Sequence, residues 1–118
     1  MTHVNQIVGA YGECLAARYA ASHGMTLVAR NWRGTSGELD LILRDGPDLA
    51  FCEVKTRRSL RYGLPVEAIV PAKARRIRRL AAEWLALTRT YHRDIRFDVL
   101  SVLATRDRIA IEHRRDAF

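Results

Sequence analysis

At 118 residues the chain has the length of one domain, residues 1–118, and its apolar content of 48% excludes a disordered tail. Its formal net charge of +7 favours polyanionic partners, either nucleic acid or an anionic membrane surface. No apolar run reaches transmembrane length and the N-terminus lacks a signal-peptide core, so we expect a cytoplasmic protein.

The first predicted element is a helix from about Val4 to Ser22, followed by Gly24, which is typical of a helix end. One side of this helix is an apolar stripe formed by Val4, Ile7, Val8, Tyr11, Leu15 and Tyr19. The opposite side also carries Glu13, and its other residues are small: Gly9, Ala16 and Ala20. We therefore expect another element to pack closely against the small side, next to Glu13.

Three strands are predicted to follow the helix. The first runs from about Met25 to Arg33 and ends in a turn at residues 34–37. A central hairpin then spans about Glu38 to Arg57, and residues 45–48 form its turn, because the sequence Asp-Gly-Pro-Asp is a strong turn signal.

The hairpin register predicts a metal site. With the turn centred between residues 46 and 47, Asp40 falls opposite Glu53, and Glu38 falls opposite Lys55. Alternation along the strand puts Lys55 on the same face as Glu53. Two opposed carboxylates repel each other unless a cation lies between them, and oxygen ligands suit Mg²⁺. A lysine beside that ion is placed to handle a proton or a developing negative charge.

The second half of the chain is predicted to complete a mixed sheet. A loop with a partial strand leads to a second helix from Pro71 to about Leu87, with a buried stripe of Ile77, Leu80, Ala81, Trp84 and Leu87. Strands follow at about 95–103 and 109–113, and the second helix is long enough for a right-handed parallel crossover. The predicted fold class is α/β, in the order α-β-β-β-α-β-β.

Basic residues are concentrated directly after the carboxylate pair. The segment from Lys55 to Arg79 contains nine basic residues and one acidic residue, Glu67. A surface that binds the phosphate backbone beside a metal site is what phosphodiester chemistry needs. The predicted nucleic-acid contacts are Arg57, Arg58, Arg61, Tyr62, Lys73, Arg75, Arg76 and Arg79. The alternative for the arginines of the second helix is a solvated helix face.

The cysteines and histidines suggest no zinc site. Cys14 and Cys52 do not form a CxxC pair and are interpreted as small buried hydrophobic residues in a reducing compartment. The four histidines lack zinc-binding spacing, and Asp98 is interpreted as structural.

With these residues in view, the chain resembles the PD-(D/E)xK nuclease superfamily, and more closely the bacterial YraN-type family of predicted endonucleases. Asp40 matches the acidic residue of the superfamily, and Glu53-Val54-Lys55 matches its tripeptide, although leucine rather than proline precedes Asp40. The other matching segments are Gly9-x-x-Gly12-Glu13, Gly37-Glu38-Leu39-Asp40-Leu41-Ile42, Phe51 to Arg57, Tyr62-Gly63-x-Pro65-x-Glu67-Ala68 and Arg96-Phe97-Asp98-Val99.

The resemblance implies a restriction-endonuclease-like fold, a mixed β-sheet flanked by helices, and metal-dependent cleavage of DNA. It implies that Glu13, Asp40 and Glu53, with the Val54 carbonyl, bind Mg²⁺ or Mn²⁺, and that Lys55 orients or deprotonates the attacking water. The group is related to archaeal Holliday-junction resolvases. Branched or junction DNA is therefore an expected substrate, and a homodimer an expected working unit, since two cuts need two sites.

Alternative interpretations stay open from the sequence. One alternative is a nucleic-acid-binding module that does not cleave its ligand. Another is a protein that acts on RNA, because recognition of the backbone does not distinguish RNA from DNA. The alternative to a metal-binding role for Glu13 is that of a solvated helix residue. Glu38 is either a cross-strand ion-pair partner of Lys55 or a residue that supports the metal ligands.

Overall fold

The secondary structure follows the predicted order of elements. The structure is a computed structural model that describes residues 3–59 and 69–118. Its elements are α1 (His3–Ser22), β1 (Thr26–Gly34), β2 (Gly37–Asp45), β3 (Asp48–Arg57), α2 (Pro71–Thr88), β4 (Ile95–Ala104) and β5 (Ile109–Arg114). The predicted bounds differ from the observed bounds by no more than one residue at each end.

The five strands form one mixed sheet in the order β1-β2-β3-β4-β5. β3 and β4 are parallel, and the other neighbours are antiparallel. Helix α2 lies in the crossover between the two parallel strands, as the sequence predicts. A five-stranded mixed sheet with two flanking helices is consistent with the expected restriction-endonuclease-like fold.

The two helices cover opposite faces of the sheet. Ala16 and Ala20 of α1 pack in one hydrophobic cluster with Ala50 and Cys52 of β3. The alternate β3 residues, such as Phe51, pack in a second cluster with α2. Because neighbouring residues of a strand point to opposite faces, the two clusters lie on opposite sides of the sheet. The small-residue side of α1 is thus the packed side, as predicted.

Helix α2 buries most of its predicted stripe, with one exception. Trp84 is buried and meets Phe51 edge to face, with ring centroids 5.9 Å apart. Leu87 is exposed, so its assignment to the buried stripe is wrong. Leu87 lies in the last turn of α2, which ends at Thr88.

Candidate metal centre

Asp40 and Glu53 lie where the pairing of β2 with β3 ends. The two strands pair from the turn as far as Leu41 and Cys52, in the predicted register. The next residues along the two strands are Asp40 and Glu53. The backbone N–H of Val54 donates to Asp40 Oδ2 over 2.9 Å, so the Asp40 side chain extends the connection between the strands.

The two carboxyl groups are in direct electrostatic conflict. Burial raises the pKa of Asp40 far above its usual value, and hydrogen bonding and charge repulsion from Glu53 raise it further. Burial also acts to raise the pKa of Glu53, but hydrogen bonds from Asp40 and Lys73 hold it below its usual value. The pair therefore shares a proton, with Asp40 as the donor, when no divalent cation is bound.

Glycine brings Glu13 to the same place. A Cβ built on Gly12 would lie 1.8 Å from Thr56 Oγ1 and 2.7 Å from Thr56 Cβ, so only glycine allows α1 to approach β3 this closely. The next residue, Glu13, reaches the cleft and hydrogen-bonds Asn31 of β1. Burial raises the pKa of Glu13, and the Asn31 hydrogen bond acts against that shift.

Two lysines accompany the carboxylates. Lys73 of α2 lies in the cleft, with its Nζ 2.6 Å from Glu53 Oε2, whereas the sequence suggested only a nucleic-acid contact for it. Burial lowers the pKa of Lys55, and the neighbouring charges of Lys73 and Arg57 lower it further. Lys55 therefore releases a proton more easily than an exposed lysine does.

These groups line a cleft of about 450 Å³ between α1, β2, β3 and α2. Its lining residues are Val8, Gly9, Glu13, Asp40, Glu53, Val54, Thr56 and Lys73. Three carboxylates from three different elements converge there, and burial together with their mutual repulsion raises the pKa of Asp40 and of Glu13. A hard divalent cation would offset that repulsion, so the residues present fit the oxygen ligands of Mg²⁺ or Mn²⁺.

The described nucleic-acid contacts that the sequence predicts lie at the end of β3 and on α2. Four of the arginines are exposed: Arg58, Arg75, Arg76 and Arg79. Arg57 is half-buried and lies close enough to Lys55 to affect its pKa. Arg61 and Tyr62 lie outside the described residues.

Two sequence interpretations need correction. The ion pair that the structure gives Glu38 is with Arg33 of β1, whose Nη2 lies 3.2 Å from Glu38 Oε2. Glu38 is the partner of Arg33 in the β1–β2 register, and the β2–β3 pairing ends before it would face Lys55. Cys14 is exposed, with its Sγ 3.2 Å from Arg30 Nη2, so only Cys52 is a buried cysteine.

A second cluster, which local spacing does not reveal, surrounds Asp98. Ligand atoms of Cys52, Asp98 and His113 lie within 4.8 Å of one another. His113 Nε2 lies 2.8 Å from Asp98 Oδ2, and Arg96 Nε donates to both carboxylate oxygens at 3.0 and 3.1 Å. The backbone N–H of Asp116 also donates to Asp98, over 3.1 Å. Because these donors occupy the carboxylate, the cluster acts as a structural anchor, in agreement with the interpretation of Asp98.

Comparisons with known proteins agree on one group. The model of the uncharacterised protein family UPF0102 matches residues 12–102. A UPF0102 protein of Rhodococcus opacus is 50% identical over 119 residues, which cover 100% of each chain. A UPF0102 protein of Nocardia farcinica is 54% identical, covering 96% of this chain and 90% of its own length. A UPF0102 protein of a Nocardioides species is 52% identical over 87% of this chain and 83% of its own length.

The two helices do not match transmembrane segments. Within residues 3–59 and 69–118, neither helix has the length and apolar character needed to span a membrane.

Proposed function

This chain belongs to the uncharacterised protein family UPF0102, the family that its motifs resemble, and we propose that it is a metal-dependent nuclease that hydrolyses DNA phosphodiester bonds. One observation carries the proposal: Glu13, Asp40 and Glu53 converge from α1, β2 and β3 in one cleft beside Lys55 and Lys73. The carboxylates are in conflict without a cation, and the basic residues nearby suit a phosphate backbone.

The side chains divide the work of the proposed reaction. Glu13, Asp40 and Glu53, with the Val54 carbonyl, would hold Mg²⁺ or Mn²⁺, which when bound supplies positive charge for the phosphoryl oxygens. Lys55, with its lowered pKa, takes a proton from the attacking water or donates a hydrogen bond to the developing charge. The hydrogen bond from Val54 N–H fixes the orientation of Asp40.

The decisive experiment measures cleavage of linear, flapped and four-way DNA and RNA by purified protein, with Mg²⁺, Mn²⁺ or EDTA. We expect metal-dependent cleavage of DNA that Asp40→Asn and Lys55→Ala both abolish. Asp40→Asn should still bind DNA, since it removes a negative charge near phosphate. Asp94→Asn is the matched control, because Asp94 is an exposed carboxylate paired only with Arg93 among the described residues, and it should cleave like the wild type. Equal cleavage by Asp40→Asn would show the site to be wrong.

Glu13 is tested separately, because its helix position also allows a structural role. Glu13→Gln keeps the shape and the hydrogen bond with Asn31 but removes the third negative charge. We expect cleavage to fall at least about tenfold, a loss of about 1.4 kcal/mol of transition-state stabilisation, with an unchanged melting temperature. A melting temperature that falls together with the activity would make Glu13 a structural residue.

The exposed arginines of α2 are proposed to contribute affinity rather than chemistry. Each basic residue that neutralises a phosphate of duplex DNA adds about 0.9 to the slope of log affinity against log salt. Replacing Arg75 and Arg79 by alanine should therefore flatten that slope by nearly 2 units, for unrelated sequences alike. An unchanged slope would return both residues to a solvated helix face.

Binding without turnover is the second candidate function, and one contact favours it. Lys73 neutralises Glu53 at 2.6 Å, which gives one carboxylate a partner other than a metal ion. In that case the protein would bind DNA with EDTA as tightly as with Mg²⁺ and cleave no substrate in the panel.

A homodimer on branched DNA is proposed as the working unit, since the residues that the structure describes bring Glu13, Asp40 and Glu53 together in one cleft and resolving a branch needs two cuts. Sedimentation of Asp40→Asn, alone and with a four-way junction, should give two chains per junction. One chain per junction, together with single nicks on plain duplex, would replace the dimer by a nicking monomer.

A further inference from the structure

A second groove adjoins the metal cleft on the other side of Val8. It has a volume of about 570 Å³, within the range of sites that bind small ligands. Its lining comes from α1, the end of β3 and the β4–β5 turn: Val8, Tyr11, Arg58, Ala104, Thr105, Arg106, Asp107, Arg108 and Ile109. Val8 also lines the metal cleft, so the two depressions meet at this residue.

The groove combines an exposed aromatic ring with positive charge. Tyr11 is 50% exposed although it belongs to an apolar helix stripe, and Ile109 is also 50% exposed. Three arginines, Arg58, Arg106 and Arg108, line the groove against one aspartate, Asp107. Within the described residues no ion pair engages these three arginines. An exposed aromatic ring in a groove that three arginines line matches a base with its phosphates.

The β4–β5 turn that carries two of these arginines is held in a fixed shape. The backbone N–H of Thr105 donates to the Arg108 carbonyl over 2.9 Å. The backbone N–H of Arg108 donates in return to Thr105 Oγ1, over 3.1 Å. Because the turn is closed by its own hydrogen bonds, its backbone needs no reordering to present these side chains to a phosphate.

We propose that this groove is a second nucleic-acid subsite, which takes an unpaired nucleotide of the strand whose phosphodiester lies in the metal cleft. Its base stacks on Tyr11, and its phosphates lie against Arg58, Arg106 and Arg108. A base paired within a duplex cannot place its face on a side chain, so the site selects strands with a single-stranded segment beside the cleaved bond. This inference rests on the proposed nuclease function and narrows its substrate class.

The test measures binding by fluorescence anisotropy with labelled oligonucleotides: a blunt duplex and the same duplex with a single-stranded flap. All variants carry Asp40→Asn, so that no cleavage interferes. Tyr11→Ala should weaken flap binding at least about fivefold, the lower end of the stacking contribution, and duplex binding less than about twofold. Tyr11→Phe keeps the ring and should bind like the parent. Tyr91→Ala is the matched control, since Tyr91 is exposed and precedes β4, at the opposite end of that strand from the β4–β5 turn.

The charge is tested in the same way. Arg106→Ala with Arg108→Ala should weaken flap binding more than duplex binding, whereas Arg114→Ala, about 16 Å further along β5, should not discriminate. Equal losses for both DNAs, no loss for Tyr11→Ala, or no DNA binding by the parent would overturn the subsite. Displacement of the flapped DNA by a free mononucleotide at equal concentration would assign the groove to a small ligand and also overturn it. Cleavage by Asp40→Asn would instead refute the proposed catalytic site, and these binding results would remain interpretable.

Discussion

Two aspartates of one sheet, Asp98 buried and Asp40 half-buried, have opposite electrostatic surroundings. Asp98 on β4 is completely buried, yet hydrogen bonds from His113 and Arg96 outweigh its burial and hold its pKa below the usual value. Asp40 on β2 faces a second carboxylate, and its pKa is raised by burial and by Glu53. Within residues 3–59 and 69–118, Asp98 is paired with Arg96, whereas no ion pair engages Asp40. The difference supports the proposal that the region around Asp40 binds a ligand.

The largest expected difference in stability is between the two variants in which one of these aspartates is replaced by asparagine. Asp98→Asn removes the buried carboxylate that accepts from Arg96 Nε and leaves Arg96 with its ion pair to Asp45, so we expect it to lower the free energy of unfolding by about 3 kcal/mol. Asp40→Asn should leave stability unchanged or raise it, because an amide can donate to Glu53 and accept from Val54. Urea unfolding with EDTA measures both. Equal losses would mean that Asp40 is also a structural residue.

A smaller effect is expected where α1 meets β3. Gly12→Ala should lower the free energy of unfolding by about 1–3 kcal/mol, because its Cβ would overlap the Thr56 side chain, and it should move Glu13 away from the carboxylate pair. Gly9→Ala is the matched control: its Cβ meets nothing within 4 Å, so the gain in helix propensity should stabilise the protein slightly. Thermal unfolding of both variants compares them.

A second substitution at Thr56 tests whether Gly12→Ala destabilises the protein by overlap with Thr56 or by a general effect on helix α1. Thr56→Ala removes Oγ1 and Cγ2, two of the three atoms that a Cβ on Gly12 would meet, so adding it to Gly12→Ala should restore part of the stability. No recovery in the double variant would mean that the close approach of α1 to β3 is not what requires glycine.

The two aspartates should also give opposite responses to pH. The folded state binds the proton of Asp40 more tightly than the unfolded state does, so its contribution to stability is present at low pH and is lost as pH rises above about 4. Asp98 has a lowered pKa, so its contribution is lost only as pH falls below about 4. Between about pH 5 and 8 the metal-free protein should therefore lose stability, measured as melting temperature.

The Asp40→Asn variant isolates that loss from the titration of histidines. The wild-type melting temperature should fall from pH 5 to pH 8 more than that of Asp40→Asn. Millimolar Mg²⁺ should reduce the difference, because a bound cation replaces the shared proton. Parallel curves for the two proteins would mean that the carboxylates share no proton.

The sequence predicted the parts of the site that depend on local patterns. The turn at residues 45–48 sets the register that brings Asp40 next to Glu53, and the small side of α1 indicated the approach of Glu13. The spacing of residues along the sequence could not predict the Asp98 cluster. Parallel pairing of β3 with β4 places Cys52 opposite Asp98, and His113 comes from a third strand. Lys73 was assigned only to nucleic acid, since its ion pair depends on how α2 docks on the sheet.

The smallest expected effect concerns the cations that already accompany the two carboxylate regions. Arg96, whose side chain is 13% exposed, is fixed between Asp98 and Asp45, whereas the Lys73 side chain is 38% exposed and holds Glu53 through a single contact. If the proposed metal ion binds, we therefore expect Lys73 to move aside and to compete with that ion for Glu53. Lys73→Gln should tighten Mg²⁺ or Mn²⁺ binding about fivefold, equivalent to about 1 kcal/mol, with a small loss of metal-free stability. Calorimetric titration measures the affinity, and Lys73→Arg, which keeps the charge, should stay near the wild type. Weaker metal binding by Lys73→Gln would mean that Lys73 supports the metal site. Lys73 and Arg96 would then differ in where they lie, and not in whether a metal ion can displace them.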